Sequence, residues 1–451
     1  MKVALIFGNY ERQGFYPLGI MYLAAYARKY GKENIDYILY DIMPDINELM
    51  SKNYDVIGFS CLTIQFPRVN KYAQKLRKVY QGIILAGGIH FSLLEQIPNW
   101  ADVVILGEGE KTFCELMYSI ATNGGLNKAE LLNLPGIIFR DEDGRTHISV
   151  MGTFIKEIDQ IPFPARDLVD MEKYLLPNNV FGTKVGRGLG MMTSRGCAFN
   201  CEFCSTAKTW GNPRFHSAEY VVNEIKDVYE KYKIQYIYFE DDNFCGSKKR
   251  LIELGNLLEK ENLPIEFGAS GRVDFVTEEM LDVYKKIGLK ALSFGLETGS
   301  NHMLRKIKDL QYLTVEEEID KVKMVLDAGI EVHGMFMLNM PGETYEDMML
   351  TKKVIEEVPF SKIAISLASP YYGTKWWDEA VRQGIVPENP NENFWELYDM
   401  HSYAGDNRPL FINDVSREKV LEIYESISRV ARSRWNYDWR KRKILCDGRK
   451  N

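Results

Sequence analysis

The chain has 451 residues, 45% of them hydrophobic, and a formal net charge of −7. That length exceeds one core and predicts two or three domains. The acidic balance disfavours nucleic acid as the main partner, and no apolar run reaches the ~18 residues that would span a bilayer. Seven cysteines, an odd number, argue against a secreted disulfide framework. Nothing reads as a signal peptide, so a soluble, cytoplasmic monomer is expected.

Strand and helix patterns alternate from the start. KVALIF (2–7), DYILYD (36–41), YDVIGFS (54–60), GIILAGG (82–88) and ADVVILG (101–107) are short Val- and Ile-rich runs. Helical segments such as PLGIMYLAAYARKYG (17–31), PRVNKYAQKLRKVY (67–80) and EKTFCELMYSIATNGG (110–125) fall between most of them. Continuous apolar strands alternating with helices predict a parallel sheet covered on both faces. Ligands of such sheets sit beyond the strands' carboxyl ends. The predicted domain is 1–140. A hairpin around Asp-Gly in LPGIIFRDEDGRTH and the proline-punctuated IDQIPFPARDLVDMEKYLLPNN fall mostly in a predicted linker, 141–180.

The alternation then restarts. GLGMMTS (188–194), IQYIYFE (234–240), IEFGAS (265–270), KALSFG (290–295), EVHGMFML (331–338) and KIAISLA (362–368) read as strands with amphipathic helices between. Six such units predict a partial (β/α) barrel over 181–375, with its chemistry just after the strands. Unusual polar residues do fall there: Cys197, Cys201 and Cys204, then Glu240, Asp241 and Asp242, then Arg272, Glu297, Asn339 to Glu343, and Tyr371 with Tyr372. Residues 376–451 form a mainly helical third region, rich in aromatics (WWDEA, NFWELY, WNYDW) that read as packing. Its tail carries nine Lys/Arg against two Asp over 429–451. That reads as a solvated helix face, with an anionic contact as the alternative.

The cysteines 197, 201 and 204 are spaced C-x3-C-x2-C. Thiolates are soft ligands suited to zinc or iron–sulfur clusters, and a structural zinc site needs a fourth ligand. His216 and Cys245 are the candidates, and neither has customary spacing. With Phe203 just before the last cysteine, the motif closely resembles the radical S-adenosylmethionine (SAM) superfamily. The resemblance implies a partial (β/α)6 barrel and a [4Fe–4S] cluster whose fourth iron is left for SAM. It implies SAM contacts from Phe203, from Glu240, Asp241 and Asp242, from Arg272 and Glu297, and from Pro341 and Gly342 in HGMFMLNMPGET.

The first domain has no G-x-G-x-x-G after its first strand, so a dinucleotide is not expected. Ser60-Cys61-Leu62 closes one strand and Gly87-Gly88 a later one. These resemble the S-x-L…GG pattern of cobalamin-binding domains. GGIHFSLLEQIPNWADVVILGEGEKTF resembles the matching block of cobalamin-dependent radical SAM proteins of the class B methyltransferase kind. PLGIMYLAAYAR and PFPARDL fit the same family, and the likeness covers roughly 1–375. It implies a Rossmann-like (flavodoxin-like) domain holding cobalamin through Gly19, Ser60, Leu62, Gln65, Gly87, Gly88, His90, Gly107, Glu108 and Gly109. One departure stands out. Where many relatives carry D-x-H-x-x-G, this chain has GFYPLG (14–19), so no histidine is expected beneath the cobalt.

The family likeness implies a methyltransferase. Methyl would pass from methylcobalamin, formed from a hydroxocobalamin-type precursor, to an unactivated carbon through a 5′-deoxyadenosyl radical. The substrate would be a small molecule or a peptide. A ring-forming, ring-contracting or cyclase member of the family is the alternative, and a sensing protein without turnover is the other class weighed. Tyr371, Tyr372, His333 and Trp210 are the substrate-side candidates. A flavodoxin or ferredoxin and an anaerobic setting are implied.

Overall fold

The structure, a computed structural model, describes residues 1–9, 17–150, 152, 154–175, 186–308, 312–397 and 409–434. The first sheet contains β1 (Lys2–Phe7), β2 (Asp36–Tyr40), β3 (Val56–Ser60), β4 (Ile83–Gly87), β5 (Val103–Ile105), β6 (Ile137–Arg140) and β7 (Thr146–Ile148). Their order is β2-β1-β3-β4-β5-β6-β7. The first five run parallel and the last two antiparallel.

Alternation along β1 explains the two covered faces. Val3 and Leu5 share a core with Ile20, Met21 and Phe113, from the helices Leu18–Tyr30 and Glu110–Asn123. Ala4 and Ile6 pack with Phe66, Val69 and Ala73, from the helix Phe66–Arg77 on the other side. Successive strand residues point to opposite faces, so an unbroken apolar run needs a cover on each. The expected boundary at 140 is corrected here: it falls between β6 and β7, and both belong to the first sheet. The hairpin pairs back onto β5 because its apolar residues Ile137, Ile138 and Phe139 would otherwise stay wet.

The second unit contains β8 (Gly188–Met191), β9 (Ser194–Arg195), β10 (Arg214–Phe215), β11 (Tyr236–Phe239), β12 (Glu266–Gly271), β13 (Leu289–Glu297), β14 (Glu331–Leu338) and β15 (Lys362–Leu367). Six of these form one parallel sheet, β15-β14-β13-β12-β11-β8. This is the expected partial barrel. Two details differ from the sequence reading. The run at 188–194 is broken into β8 and the short β9, because Asp241 captures the backbone N–H groups of Thr193 and Ser194. β9 then pairs with β10 in a ribbon of its own.

Several side chains inside the barrel are polar. The Tyr238 hydroxyl lies 2.6 Å from that of Ser270 and 3.4 Å from that of Ser293, and Ser293 meets His333 Nδ1 at 3.3 Å. Outward-facing Ile237, Phe239 and Phe267 are buried under helices. The PGET segment is a helix start. The Thr344 side chain caps the helix Tyr345–Glu357, and Asp347 reciprocates in a capping box.

The third region supplies the helices Lys375–Arg382, Glu392–Leu397 and Arg417–Arg434. The last packs on β15 and covers that sheet edge. Trp376, Trp377, Trp395 and Phe411 join Phe66, Phe91 and Trp100 of the first domain in one core. These four aromatics are therefore inter-domain packing, as expected, and those of WNYDW lie outside the described residues. The basic tail beyond 434 and residues 14–16 of the loop lacking the histidine lie outside the described residues.

Candidate functional site

Protein bonds hold the cysteine loop in place. β9 and β10 pinch its base, with Arg195 opposite Arg214. Gly196 N–H donates to Asp242 (3.1 Å), whose other oxygen accepts from the Thr206 hydroxyl (3.1 Å). Cys204 N–H donates to the Cys201 carbonyl at 3.1 Å. All three thiols are half-buried. Burial raises Cys197 and pushes Cys201 up to about 11, and in each case the neighbouring Cys204 adds to the rise. Thiols that crowd one another in this way gain most from a cation that stabilises their thiolates. Arg272 lies 3.7 Å from Cys201 Sγ, and its guanidinium covers the Phe199 ring at 3.6 Å.

Among the described residues no three His, Cys, Asp or Glu side chains are grouped to hold a single metal ion. A polynuclear cluster makes a different demand, because each thiolate can serve a different iron. The two candidates for a fourth ligand are elsewhere. His216 is buried, stacked on Tyr220 at 3.9 Å and bonded to Asp159. Cys245 is buried and accepts from the Tyr284 hydroxyl at 3.3 Å. The residues therefore fit a three-cysteine cluster with one iron left open.

Two acids stand at the barrel mouth. Glu240 folds over Gly190, and Glu297 over Gly295, where any side chain would collide with them. Burial pushes both carboxyls up to about 7, with Asp241 adding to the effect at Glu240. Glu297 also takes a left-handed backbone, φ 72°, a strain that persists where the surroundings impose it. A buried acid held near neutrality suits a site that receives a cation.

The first domain opens a cleft at the ends of β1, β3, β4 and β5, beside the point where the strand order reverses. It encloses about 250 Å³, or about 1170 Å³ counting the open mouth. Gly19, Ser60, Leu62, Gly87, Gly88, Gly107, Glu108 and Gly109 all line it. Gly88 has φ +98°, and a Cβ there would sit 2.6 Å from the Cys61 carbonyl oxygen. Only glycine makes that turn and leaves the wall flat. No histidine is among the described residues that line it. A broad, apolar, glycine-walled cleft fits a large planar cofactor such as a corrinoid.

Several expected site residues have other duties. Gln65 is buried, bonding Asn9 at 2.6 Å and capping Leu62 N–H at 2.8 Å. His90 stacks on Phe66 at 4.0 Å and meets Trp395 edge-on, and burial lowers its pKa to about 3. It is a core residue because the aromatic cover from the third region closes over it. Glu108 lines the cleft, but its carboxylate is gripped by Arg214 at 2.6 and 2.8 Å. Asp241 faces away from the barrel interior and is spent on Thr193, Ser194 and Arg250. Phe203 packs on Trp376 at 5.4 Å. The Pro341 carbonyl accepts from Lys306 and Gly342 N–H donates to Asn413, so this turn borders a separate outer pocket with Glu202.

The substrate-side candidates scatter. Trp210 lines the cobalamin-type cleft instead of ringing the barrel mouth. His333 lies deep on β14 against Ser293. Tyr372 packs on Trp377 at 5.1 Å, and only Tyr371 is exposed. Residues missed by the sequence reading include Thr206, Arg195, Glu110, Arg214 and Lys308. Lys308 is buried and donates to Gly295 and Glu318, under Glu297. Arg195 stands two residues before Cys197, but nothing in the sequence points to its partners.

Comparison with known proteins agrees with this geometry. The family model described as Radical SAM superfamily matches residues 191–355, and that described as B12 binding domain matches 12–117. An uncharacterized methyltransferase of Pyrococcus horikoshii is 30% identical over 82% of this chain and 79% of its own length. The cytidylyl-2-hydroxyethylphosphonate methyltransferase of Streptomyces wedmorensis is 28% identical over 85% and 80%. The radical SAM methyltransferase TsrM of Kitasatospora setae, solved with cobalamin and a [4Fe–4S] cluster, superposes with a TM-score of 0.74. The match spans 96% of this chain and 88% of that one at 14% identity. With its three half-buried cysteines at the barrel mouth and a glycine-walled cleft beside them, the chain belongs to the cobalamin-dependent radical SAM family.

Proposed function

We propose that the protein transfers a methyl group to a carbon atom of a small-molecule or peptide substrate. The observation that carries this reading is a shared wall: Thr209 and Trp210, just past Cys204, line the first domain's cleft. When bound, the cluster supplies the electron that opens SAM to a 5′-deoxyadenosyl radical, and cobalamin supplies the methyl group. Cys197, Cys201 and Cys204 would hold the cluster, whose positive irons would offset the burial and crowding that otherwise disfavour the thiolates of Cys197 and Cys201. Glu240 and Glu297 receive the ammonium end of SAM. The flat backbone at Gly87-Gly88 and Gly107 admits the face of the corrinoid. Leu62, 37% exposed just past β3, lines the same cleft and would pack against that face, having no coordinating atom. The apolar lining keeps water from the reacting centre. A cluster that must be reduced to act suits an anaerobic setting and a flavodoxin or ferredoxin as donor.

The direct test uses protein reconstituted with iron, sulfide and hydroxocobalamin, given SAM and a low-potential reductant without substrate. One S-adenosylhomocysteine per bound cobalamin is expected, together with 5′-deoxyadenosine. Formation of 5′-deoxyadenosine alone would refute methyl transfer and favour the ring-forming or cyclase alternative.

The rim acids make a second prediction. Because Glu240 and Glu297 ionise near 7, their charge appears as pH rises through that value. SAM binding, measured by equilibrium dialysis, is expected to tighten between about pH 6 and 8. Glu240→Gln should flatten much of that slope. In the ligand-free protein the sign is opposite. These carboxyls bind protons more tightly folded than unfolded, so their contribution to stability falls as pH rises from 4.5 through about 7.

A further inference from the structure

Four charged side chains join the cleft to the cysteine loop. Arg195 reaches Glu110 at 2.7 Å and Glu108 at 3.4 Å. Arg214, its strand partner, grips Glu108 through two nitrogens. Glu108 belongs to the loop after β5, Glu110 opens the helix Glu110–Asn123, and the arginines belong to the β9–β10 ribbon. The side chains of Arg195, Glu108 and Glu110 are 4%, 3% and 6% exposed. The set is neutral: two guanidiniums against two carboxylates. Both glutamates and Arg195 line the cleft. Arg195 Nε and the Tyr22 hydroxyl, also in the lining, are buried with no hydrogen-bond partner among the described residues. Tyr22 and Trp210 flank the guanidinium at 5.2 and 5.9 Å.

Holding the domains together does not require this quartet. The aromatic core of Trp376, Trp377 and Trp395 against Phe66 and Phe91 already buries the apolar surface between them. Apolar contacts tolerate sliding, whereas forked arginine–carboxylate bonds fix direction and register. A buried ion pair is often no more stabilising than an apolar replacement, and setting register is its best-attested use.

We infer that Arg195 is a positioning residue that locks the cobalamin cleft and the cluster loop into one spacing, with Glu110 and Glu108 as its anchors on the cleft wall. The inference rests on the proposed occupancy of both sites. It assigns the distance between the two cofactors to this quartet and not to the aromatic core.

The test compares wild type with R195Q/E110Q, which removes one positive and one negative charge and leaves Glu108 paired with Arg214. The double variant avoids the unpaired buried charge of either single change. Each protein is loaded with iron, sulfide and cobalamin, then reduced to paramagnetic cluster and cob(II)alamin. The distance between the two spins is measured by double electron–electron resonance. Both proteins are expected to hold both cofactors in full and to melt within a few degrees of each other. The spin–spin distance distribution of the variant is expected to be roughly twofold broader. R195K, which keeps the charge and loses the fork, should broaden it too. An unchanged distribution in a fully loaded variant overturns the inference. Loss of cobalamin by the variant also overturns it, by making Arg195 part of the cofactor's binding wall. If wild type itself takes up no cobalamin, the proposed occupancy fails and the inference with it.

Discussion

Cys201→Ala is expected to lose its iron–sulfur absorbance and to cleave SAM no faster than background. Cys201 is the middle one of the three cysteines, and it is the one within reach of Arg272. Two thiolates leave a cluster short of protein ligands, and low-valent clusters without them are lost. The fold is expected to survive. The loop is held by the β9–β10 ribbon and by the Gly196–Asp242–Thr206 bonds, none of which uses the thiol. Urea unfolding of the metal-free variant should therefore lie within about 1 kcal/mol of metal-free wild type. Cys245→Ala is the control. Its thiol accepts a bond from Tyr284 deep behind β12, so this variant should keep its iron. If iron is lost there, the three-cysteine assignment fails.

Asp241→Ala is expected to cost about 3–5 kcal/mol of folding stability, the usual penalty for stranding a buried charge. Asp241 accepts from Thr193 N–H at 2.6 Å, the Thr193 hydroxyl at 2.5 Å and Ser194 N–H at 2.9 Å. Arg250, 6% exposed, lies 3.7 Å away. Removing the carboxylate orphans two backbone donors and leaves Arg250 with only neutral partners, the Thr193 and Phe244 oxygens. Urea denaturation reads the loss. SAM affinity of the molecules that remain folded should match wild type, because Asp241 points away from the barrel interior. A stable variant with weakened SAM binding would reverse that assignment and return Asp241 to the cofactor.

The contrast between Glu240 and Asp241 was legible in the sequence, though not from the motif alone. Tyr236, Tyr238 and Glu240 share one face of a period-two strand, and Ile237, Phe239 and Asp241 share the other. The first face carries hydroxyls that cross the barrel. The second is buried under helices. Strand parity therefore separates the acid at the mouth from the acid that stabilises a turn.

The six barrel strands and the cysteine spacing were readable because both are local signals. The glycines of the cleft were readable for the same reason. The anchors were not. Glu108 and Arg214 are separated by 106 residues, and Glu110 and Arg195 by 85. No local pattern couples residues so far apart. His90 illustrates the converse. It sits in a motif that resembles a cofactor block, yet its environment is set by Trp395, contributed by the far end of the chain.

That last contact bears on how the molecule is made. The face of the first domain carrying Phe66, Phe91 and Trp100 is covered by Trp376, Trp377 and Trp395. Ribosomes add about 5–20 residues per second. The 295 residues from Trp100 to Trp395 (395 − 100) therefore take on the order of 15–60 s to synthesise. For that interval the nascent first domain carries a naked aromatic surface. For an earlier and shorter part of it, the cleft also lacks the wall that Met192, Arg195, Thr209 and Trp210 provide. Vectorial synthesis thus gives this chain two successive exposures: the open corrinoid site ends when the β9–β10 ribbon and the segment to Trp210 close the cleft, and the sticky aromatic face persists until the third region folds back.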